Sequence, residues 1–422
     1  MKKYSFLMVG ILALLLILSG CAGESGGSSD SDSSGDSADK TQISFIHWRG
    51  EDKAVFDEII SEFEKANPDI TVEMNVYPSD QYQGTAQRML ADGATGDVFT
   101  SFPGAQFESI QGAGLFEDLS GEEFLSNFDE NLISVGQKDG KQFAVPYQLV
   151  FNMPIYNKGM FEELGLEVPK SWTEFQEMAD TLLENGITPI AFPGADIGPN
   201  QFMNSMMMNN APDEEVFAKL QNGEESLTNE WWVKTLEDFK LLADKGYIQE
   251  NALGTNQDAA MSMVANEEAA MLATGSYHMA SLLKLNPDLQ LDLLAPITVE
   301  ESEAVYEGIN TATFMLAVNS KSEKKEEAKK FIEFLSQPEI ASKYANETGQ
   351  HLTVKDVAYE SDALKNTAYW IDEKKTRFQP RFLITNAQIE EAVLSSIENV
   401  LGGEDPKAAA EAAQKIVDEN RE

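Results

Sequence analysis

Ile155–Phe175 reads IYNKGMFEELGLEVPKSWTEF. Ile155 and Tyr156 have strand character and run into Asn157-Lys158-Gly159, a turn cluster. Met160–Leu164 reads as one turn of helix, which Pro169 stops. Ser171-Trp172-Thr173-Glu174 matches the S-x-x-E capping box, with Glu174 placed to reach back to the amide of Ser171. Strand, turn and helix therefore follow one another within a short span. On these residues alone the stretch is equally scaffold or part of a site.

The residues upstream repeat the alternation. Gln42–Trp48 reads as a strand, and Lys53–Ala66 as a helix whose stripe is Val55, Phe56, Ile59, Ile60 and Phe63. After Pro68, Ile70, Val72, Met74 and Val76 alternate as in a strand. Ser79 or Asp80 caps a further helix that ends near Gly93, and Asp97–Phe102 is a third strand. This order predicts a parallel α/β sheet, and ligands of such sheets bind beyond the carboxyl ends of the strands. His47-Trp48-Arg49-Gly50 and Ser101-Phe102-Pro103-Gly104 occupy two of those ends. Trp48 and Phe102 offer flat apolar faces, and Arg49 offers a fork of donors. Tyr82, on the amphipathic helix, reads as core. Asp139-Gly140, between Val135 and Phe143, signals a hairpin.

The pattern Y-N-K-x-x-F-x-x-x-G-L-x-x-P-x-[ST]-W-x-E-F in Tyr156–Phe175 resembles the extracellular solute-binding proteins of carbohydrate ABC importers, family 1, the group that includes the maltose-binding proteins. Ala91-Asp92-Gly93…Gly96-Asp97-Val98 resembles that family's A-x-G-x-x-P-D-V segment, with Gly96 where Pro is usual. Asn266–Ala273, continuing into Thr274-Gly275-Ser276-Tyr277-His278, resembles its G/N-x-x-A-M-x-x-G-S-[WY] element. Thr348–Val354 resembles the return into the first lobe, with His351 where Pro is usual.

The resemblance implies an α/β, two-lobed fold of the type II periplasmic-binding-protein kind, each lobe a mixed sheet flanked by helices and joined to the other by hinge strands. It implies lobe 1 at 42–148, lobe 2 at 149–304, a return to lobe 1 at 305–354, and C-terminal helices at 355–422 mainly on lobe 2. It implies capture of a sugar or oligosaccharide by hinge closure and delivery to ABC permease subunits, with no catalysis and no cofactor. Ligand contacts are then expected from Trp48, Arg49, Asp97, Phe102, Tyr147, Gln148, Asn152, Gln201, Ser276, Tyr277, Glu307, Gln350 and Arg381. Tyr147, Gln148 and Asn152 would line the cleft floor. Tyr277 would be a stacking platform, and Arg377-Phe378-Gln379-Pro380-Arg381-Phe382 would close the cleft from the C-terminal side or pack as core.

Outside the two lobes, Met1–Cys21 has Lys2, Lys3 and an apolar run from Phe6 to Leu18, the form of a secretory signal at 1–20. Leu18-Ser19-Gly20-Cys21 resembles a bacterial lipobox, and Cys21 is the only cysteine of the chain. Lipidation at Cys21 would anchor the protein to the outer face of the cytoplasmic membrane. The Gly, Ser and Asp of 21–41 predict a flexible tether. The formal net charge is −40 over 422 residues, which disfavours nucleic acid and anionic lipid as partners. A monomer is expected.

No Gly-rich phosphate loop, G-x-S-x-G, H-E-x-x-H or Cys–His metal set occurs, and the spacings of His47, His278 and His351 match no metal motif. His278 reads as the first-turn residue of a solvated helix. Met206-Met207-Met208 reads as core, and at least one of Trp231 and Trp232 should be buried. Two alternatives stay open. One is a surface-anchored glycoside hydrolase, since carboxylates are numerous. The other is a receptor for a non-sugar solute such as a peptide or polyamine.

Overall fold

Strands β1 (Thr41–His47), β2 (Ile70–Val76) and β3 (Val98–Ser101) form in turn, with helices Lys53–Ala66 and Ser79–Leu90 as their connections. The computed structural model describes residues 40–421. The signal segment, Cys21 and nearly all of the tether lie outside the described residues. β1 pairs in parallel with both β2 and β3, as right-handed strand–helix–strand units require. Phe56, Ile59, Ile60 and Phe63 bury the inner face of the first helix, at the spacing the sequence shows.

A short hairpin, β4 (Gln137–Lys138) and β5 (Lys141–Gln142), follows. Asp139 and Gly140 turn it with φ of 51° and 74°, the left-handed pair a two-residue hairpin needs. The next strand, β6 (Val145–Phe151), is buried throughout. It joins the same large sheet as β1–β3 and ends at Phe151.

The second lobe is built on β7 (Ile155–Asn157), β8 (Thr188–Ala191), β9 (Ala269–Leu272) and β10 (Leu291–Leu293), in the order β10-β7-β9-β8. Helix Trp172–Glu184 starts on Ser171, whose Oγ accepts from the amide of Glu174 at 3.2 Å. Glu174 Oε2 closes the box on the amide of Lys170 at 2.7 Å, one residue before the expected Ser171 amide. Met206, Met207 and Met208 are buried, and so are both Trp231 and Trp232.

The chain returns in β11 (Gly308–Val318), the long strand between β6 and β3 and antiparallel to both. β12 (His351–Leu352) adds beyond β6, and β13 (Thr376–Phe378) pairs in parallel with β11. The larger sheet is seven-stranded, ordered β12-β6-β11-β3-β1-β2 with β13 against β11. From β13 the chain passes through Pro380–Leu383 to helix Ala387–Leu401. That helix buries Ile389, Val393 and Ile397 in the core that also holds Phe202, Trp232 and Phe239. A separate core around Phe45, Phe63, Phe331 and Tyr344 lies under the larger sheet. The molecule is thus mixed α/β, with a seven-stranded and a four-stranded main sheet flanked by helices.

Candidate functional site

Strand ends from both sheets converge on one cavity of about 290 Å³. Trp48 and Arg49 follow β1, Phe102 follows β3, and Gln148, Val150 and Asn152 come from β6 and its end. Thr311 and Thr313 come from β11. In the ladder, Thr313 stands opposite Gln148 and Thr311 opposite Val150, so these side chains share one face of the sheet. The other lobe supplies Ile197, Gln201, Gln257, Tyr277 and His278. Glu51, Ser79 and Phe382 complete the wall.

Period-two geometry decides the floor. Gln148, Val150 and Asn152 point one way, so Tyr147 points the other. Tyr147 is fully buried in the lobe 1 core, and its hydroxyl donates to the carbonyl of Leu335 at 3.1 Å. The expectation that it lines the floor is corrected on this ground.

One wall is aromatic. Trp48 stacks on Phe102 with ring centroids 3.7 Å apart and 21° between planes. Phe314 meets Trp48 edge-on at 5.1 Å, and it does so with a φ of 52°. A bulky aromatic in the left-handed region inside a strand costs roughly 1–2 kcal/mol. Such outliers persist only where surrounding packing fixes them, and Phe314 is held against Trp48, His47 and Phe56. Across the cavity the guanidinium of Arg49 lies 5.9 Å from the centre of the Tyr277 ring, so an arginine of one lobe faces an aromatic of the other.

Arg49 is not a free cation. Its Nε and Nη2 donate to the two oxygens of Asp52 at 2.8 and 3.1 Å, and Nη1 lies 3.2 Å from Glu51 Oε1. Burial opposes the charge, but the two carboxylates outweigh it and raise the pKa of the guanidinium. Asp52 also accepts from the Tyr344 hydroxyl at 2.5 Å, and Tyr344 accepts from Gln148 Nε2 at 2.5 Å. A continuous chain of hydrogen bonds thus fixes the orientation of two cavity side chains, Arg49 and Gln148.

His278 is buried against the cavity, not solvated as the sequence suggested. Burial, with a smaller contribution from Arg49, lowers its pKa to about 3, so its ring is neutral at ordinary pH. Its Nδ1 has no hydrogen-bond partner among the described residues, and neither do Asn152 Oδ1, Gln201 Oε1 and Thr313 Oγ1. Buried polar atoms are ordinarily paired; these four belong to residues that line the cavity, but each atom is itself closed off from it.

Of the residues singled out in the sequence, Trp48, Arg49, Phe102, Gln148, Asn152, Gln201 and Tyr277 line this cavity. The others, besides Tyr147, stand elsewhere. Asp97 is buried between strands, accepting from Ser44 N and Oγ at 2.8 and 2.9 Å and from Ser322 Oγ at 2.5 Å, so it ties β1 to the chain after β11. Ser276 Oγ accepts from the Phe151 amide at 3.1 Å, behind the wall. Gln350 is buried with its Nε2 3.4 Å from the carbonyl of Tyr277, and supports that loop without lining the cavity. Glu307 pairs with Lys374 at 2.6 Å in a different groove, beside Tyr369 and Trp370. Arg381 donates to Glu390 at 2.5 Å and lines a neighbouring chamber. Thr311, Thr313, His278 and Gln257 were not expected. Only the pairing of β6 with β11 places the threonines, and sequence spacing carries no sign of it.

Among the described residues no group of three His, Cys, Asp or Glu side chains is placed to hold a metal ion. The cavity wall holds one carboxylate among the described residues, Glu51, and Arg49 engages it.

Two lobes with a polar and aromatic cavity between them define a type II solute-binding fold. The sequence profile described as "Bacterial extracellular solute-binding protein" matches residues 48–342, and the chain belongs to that family. It is similar to the multiple sugar-binding protein of Streptococcus mutans serotype c, 25% identical over 371 residues and covering 86% of each chain. It is also similar to the melibiose/raffinose/stachyose-binding protein MelE of Bacillus subtilis, 22% identical over 427 residues, with 98% of this chain and 95% of that one covered. Among solved structures, the solute-binding protein RafE in complex with raffinose superposes with a TM-score of 0.78 at 20% identity, over 90% of this chain and 99% of that one.

Proposed function

We propose that this chain is the extracellular receptor of a carbohydrate importer, which captures a sugar or short oligosaccharide between its lobes and delivers it to an ABC permease. The observation that carries the reading is the cavity wall. The amides of Gln148, Asn152 and Gln201 and the hydroxyls of Thr311 and Thr313 line it together with the rings of Trp48, Phe102 and Tyr277. A sugar presents hydroxyls to such atoms and C–H faces to such rings. A site built to pair hydroxyls rejects analogues that lack them. The volume is at the lower end for ligand pockets, enough for roughly one or two sugar rings. The names of the relatives in Streptococcus mutans and Bacillus subtilis agree with this ligand class.

The same wall argues against the alternatives. Hydrolysis of a glycoside needs two carboxyl groups flanking the bond, and Glu51 is the one carboxylate in the wall among the described residues. A polyamine or a peptide amine needs an uncommitted carboxylate, whereas Glu51 is engaged by Arg49. The receptor acts as a monomer without cofactor. It is held to the outer face of the cytoplasmic membrane through a lipid on Cys21 and the tether that follows.

Thermal unfolding in the presence of raffinose-series, malto- and cello-oligosaccharides tests the reading, because a ligand of the native state raises the melting temperature by mass action. A saturable rise with at least one series, and recovery of that sugar intact after long incubation, is expected. No shift with any saccharide, or catalytic turnover of the bound one, would overturn it. For the anchor, Cys21→Ala should leave the protein unprocessed or release it to the medium. Unchanged detergent-requiring membrane association of a processed Ala variant would refute lipidation.

A further inference from the structure

One side chain of the cavity wall is aimed by residues outside that wall. Gln148 lines the cavity, whereas Tyr344 and Asp52 do not. Tyr344 sits in helix Pro338–Thr348 and is fully buried. Its hydroxyl lies 2.5 Å from Asp52 Oδ2 and 2.5 Å from Gln148 Nε2. Asp52 stands at the N-cap of helix Lys53–Ala66, where an aspartate ordinarily accepts from the first helical amides, yet its side chain makes no capping bond. Its two oxygens accept from Arg49 Nε and Nη2 at 2.8 and 3.1 Å, and one of them accepts from Tyr344 as well. The helix start goes without its cap, and the carboxylate anchors Arg49 and Tyr344 instead.

The direction of hydrogen bonding along this chain is set at the Asp52 end. A carboxylate held by a guanidinium only accepts, so Tyr344 gives its one hydroxyl proton to Asp52. Burial, with the Asp52 charge, holds that phenol well above its usual pKa, so the proton stays on it. The phenol oxygen is left as an acceptor, and of the two ends of the Gln148 amide only the NH2 group satisfies it. The remaining end, Oε1, is then the polar atom that Gln148 has free for a ligand. Nothing among the described residues donates to this oxygen, and it is not one of their buried unpaired atoms.

We infer that Tyr344 is a positioning residue that sets the polarity of Gln148, so that the cavity presents an acceptor there and selects a ligand hydroxyl that donates its proton. This rests on the sugar-receptor reading and adds to it the donor–acceptor sense of one contact. A glutamine free to turn would accept or donate and would discriminate less, because either end of its amide could meet the ligand.

Tyr344→Phe removes the hydroxyl and keeps the ring that packs near Phe56 and Tyr147, with centroids 5.0 and 5.1 Å away. The first measurement needs no ligand. In proton–nitrogen correlation spectra the side-chain NH2 pair of Gln148, identified by its loss in Gln148→Ala, should be protected from solvent exchange. Tyr344→Phe should speed that exchange at least about tenfold. The second measurement uses raffinose, maltotriose and cellotriose, and compares each one that binds with its monodeoxy and monodeoxyfluoro derivatives by calorimetry. Fluorine accepts weakly and cannot donate. At the ring position that meets Gln148, the wild type should therefore bind the fluoro derivative more weakly than the deoxy one. In Tyr344→Phe the amide can turn its NH2 toward the ligand, and the order at that position should reverse. An unprotected NH2 pair in the wild type, or the same fluoro–deoxy order at every position in wild type and folded variant, overturns the role of Tyr344 and leaves the receptor reading standing. Should the variant fail to fold, wild-type exchange and the wild-type fluoro–deoxy order decide the matter. Failure of all three saccharides to bind counts against the receptor reading, while the exchange measurement still decides the polarity of Gln148.

Discussion

Trp48 and Tyr277 do different work although both are aromatic and both face the cavity. Trp48 is packed on one side against Phe102 and Phe314, while Tyr277 faces Arg49 from the other lobe. Truncating either ring should weaken sugar binding by about 1–3 kcal/mol, the range for a well-packed aromatic anchor. The unliganded fold should lose less than the 3–5 kcal/mol of a core aromatic. Calorimetry and urea unfolding of Trp48→Ala and Tyr277→Ala measure the two terms separately. Undiminished affinity in a strongly destabilised protein would return these rings to the core.

The histidines carry a second residue-scale consequence. All three of the chain are buried, and burial lowers His47 and His278 to about 3 and His351 to about 4. Below the ordinary histidine pKa of 6.5 the unfolded chain takes up protons that the native state refuses. Stability therefore falls with acidification from about pH 6.5 toward the folded values, by up to about 1.4 kcal/mol per pH unit for each histidine. His351→Gln should remove one such share. Its urea-derived stability should then fall less steeply between pH 7 and pH 5 than the wild type, and equal slopes would mean that native His351 is protonated there.

At the scale of elements, the local signals were legible wherever one chain segment decides its own structure. The stripe of helix Lys53–Ala66, the alternation of β2, the Asp139-Gly140 turn and the Ser171 cap all depend on neighbours within a few residues. Ser171→Ala should accordingly cost about 1 kcal/mol, read as a lowered urea midpoint with unchanged slope. An unchanged midpoint would mean that the Glu174–Lys170 contact alone holds the helix start. What could not be read was the face of a strand buried on both sides. VPYQLVF in β6 gives no alternation, so Tyr147 and Gln148 looked equivalent as floor residues. Asp97 and Ser276 looked like ligand groups because polar residues near strand ends suit both roles. Their actual partners, Ser44, Ser322 and the Phe151 amide, lie far away in sequence. The motif that carries Tyr277 pointed to the cavity correctly, whereas Thr311 and Thr313 required the β6–β11 register.

At the scale of the whole molecule, charge and site are decoupled. The formal net charge is −40, so the folded chain repels itself and screening relieves that repulsion. Raising sodium chloride from about 0.02 M to about 1 M should increase the melting temperature of the unliganded protein. The cavity behaves otherwise. Arg49 is neutralised by Asp52 and Glu51, His278 is uncharged, and the other polar residues of the wall are chiefly amides and hydroxyls. A neutral sugar gains no long-range attraction from the surface, so its dissociation constant should change by less than about twofold over the same salt range. A polyamine would behave differently: the negative field would attract it at low salt, and its affinity would fall steeply as salt rises. Calorimetric titrations at the two salt concentrations, paired with melting curves, separate these cases. A melting temperature that rises while sugar affinity holds steady is the expected result, and an affinity lost with salt would assign the cleft to a cationic solute.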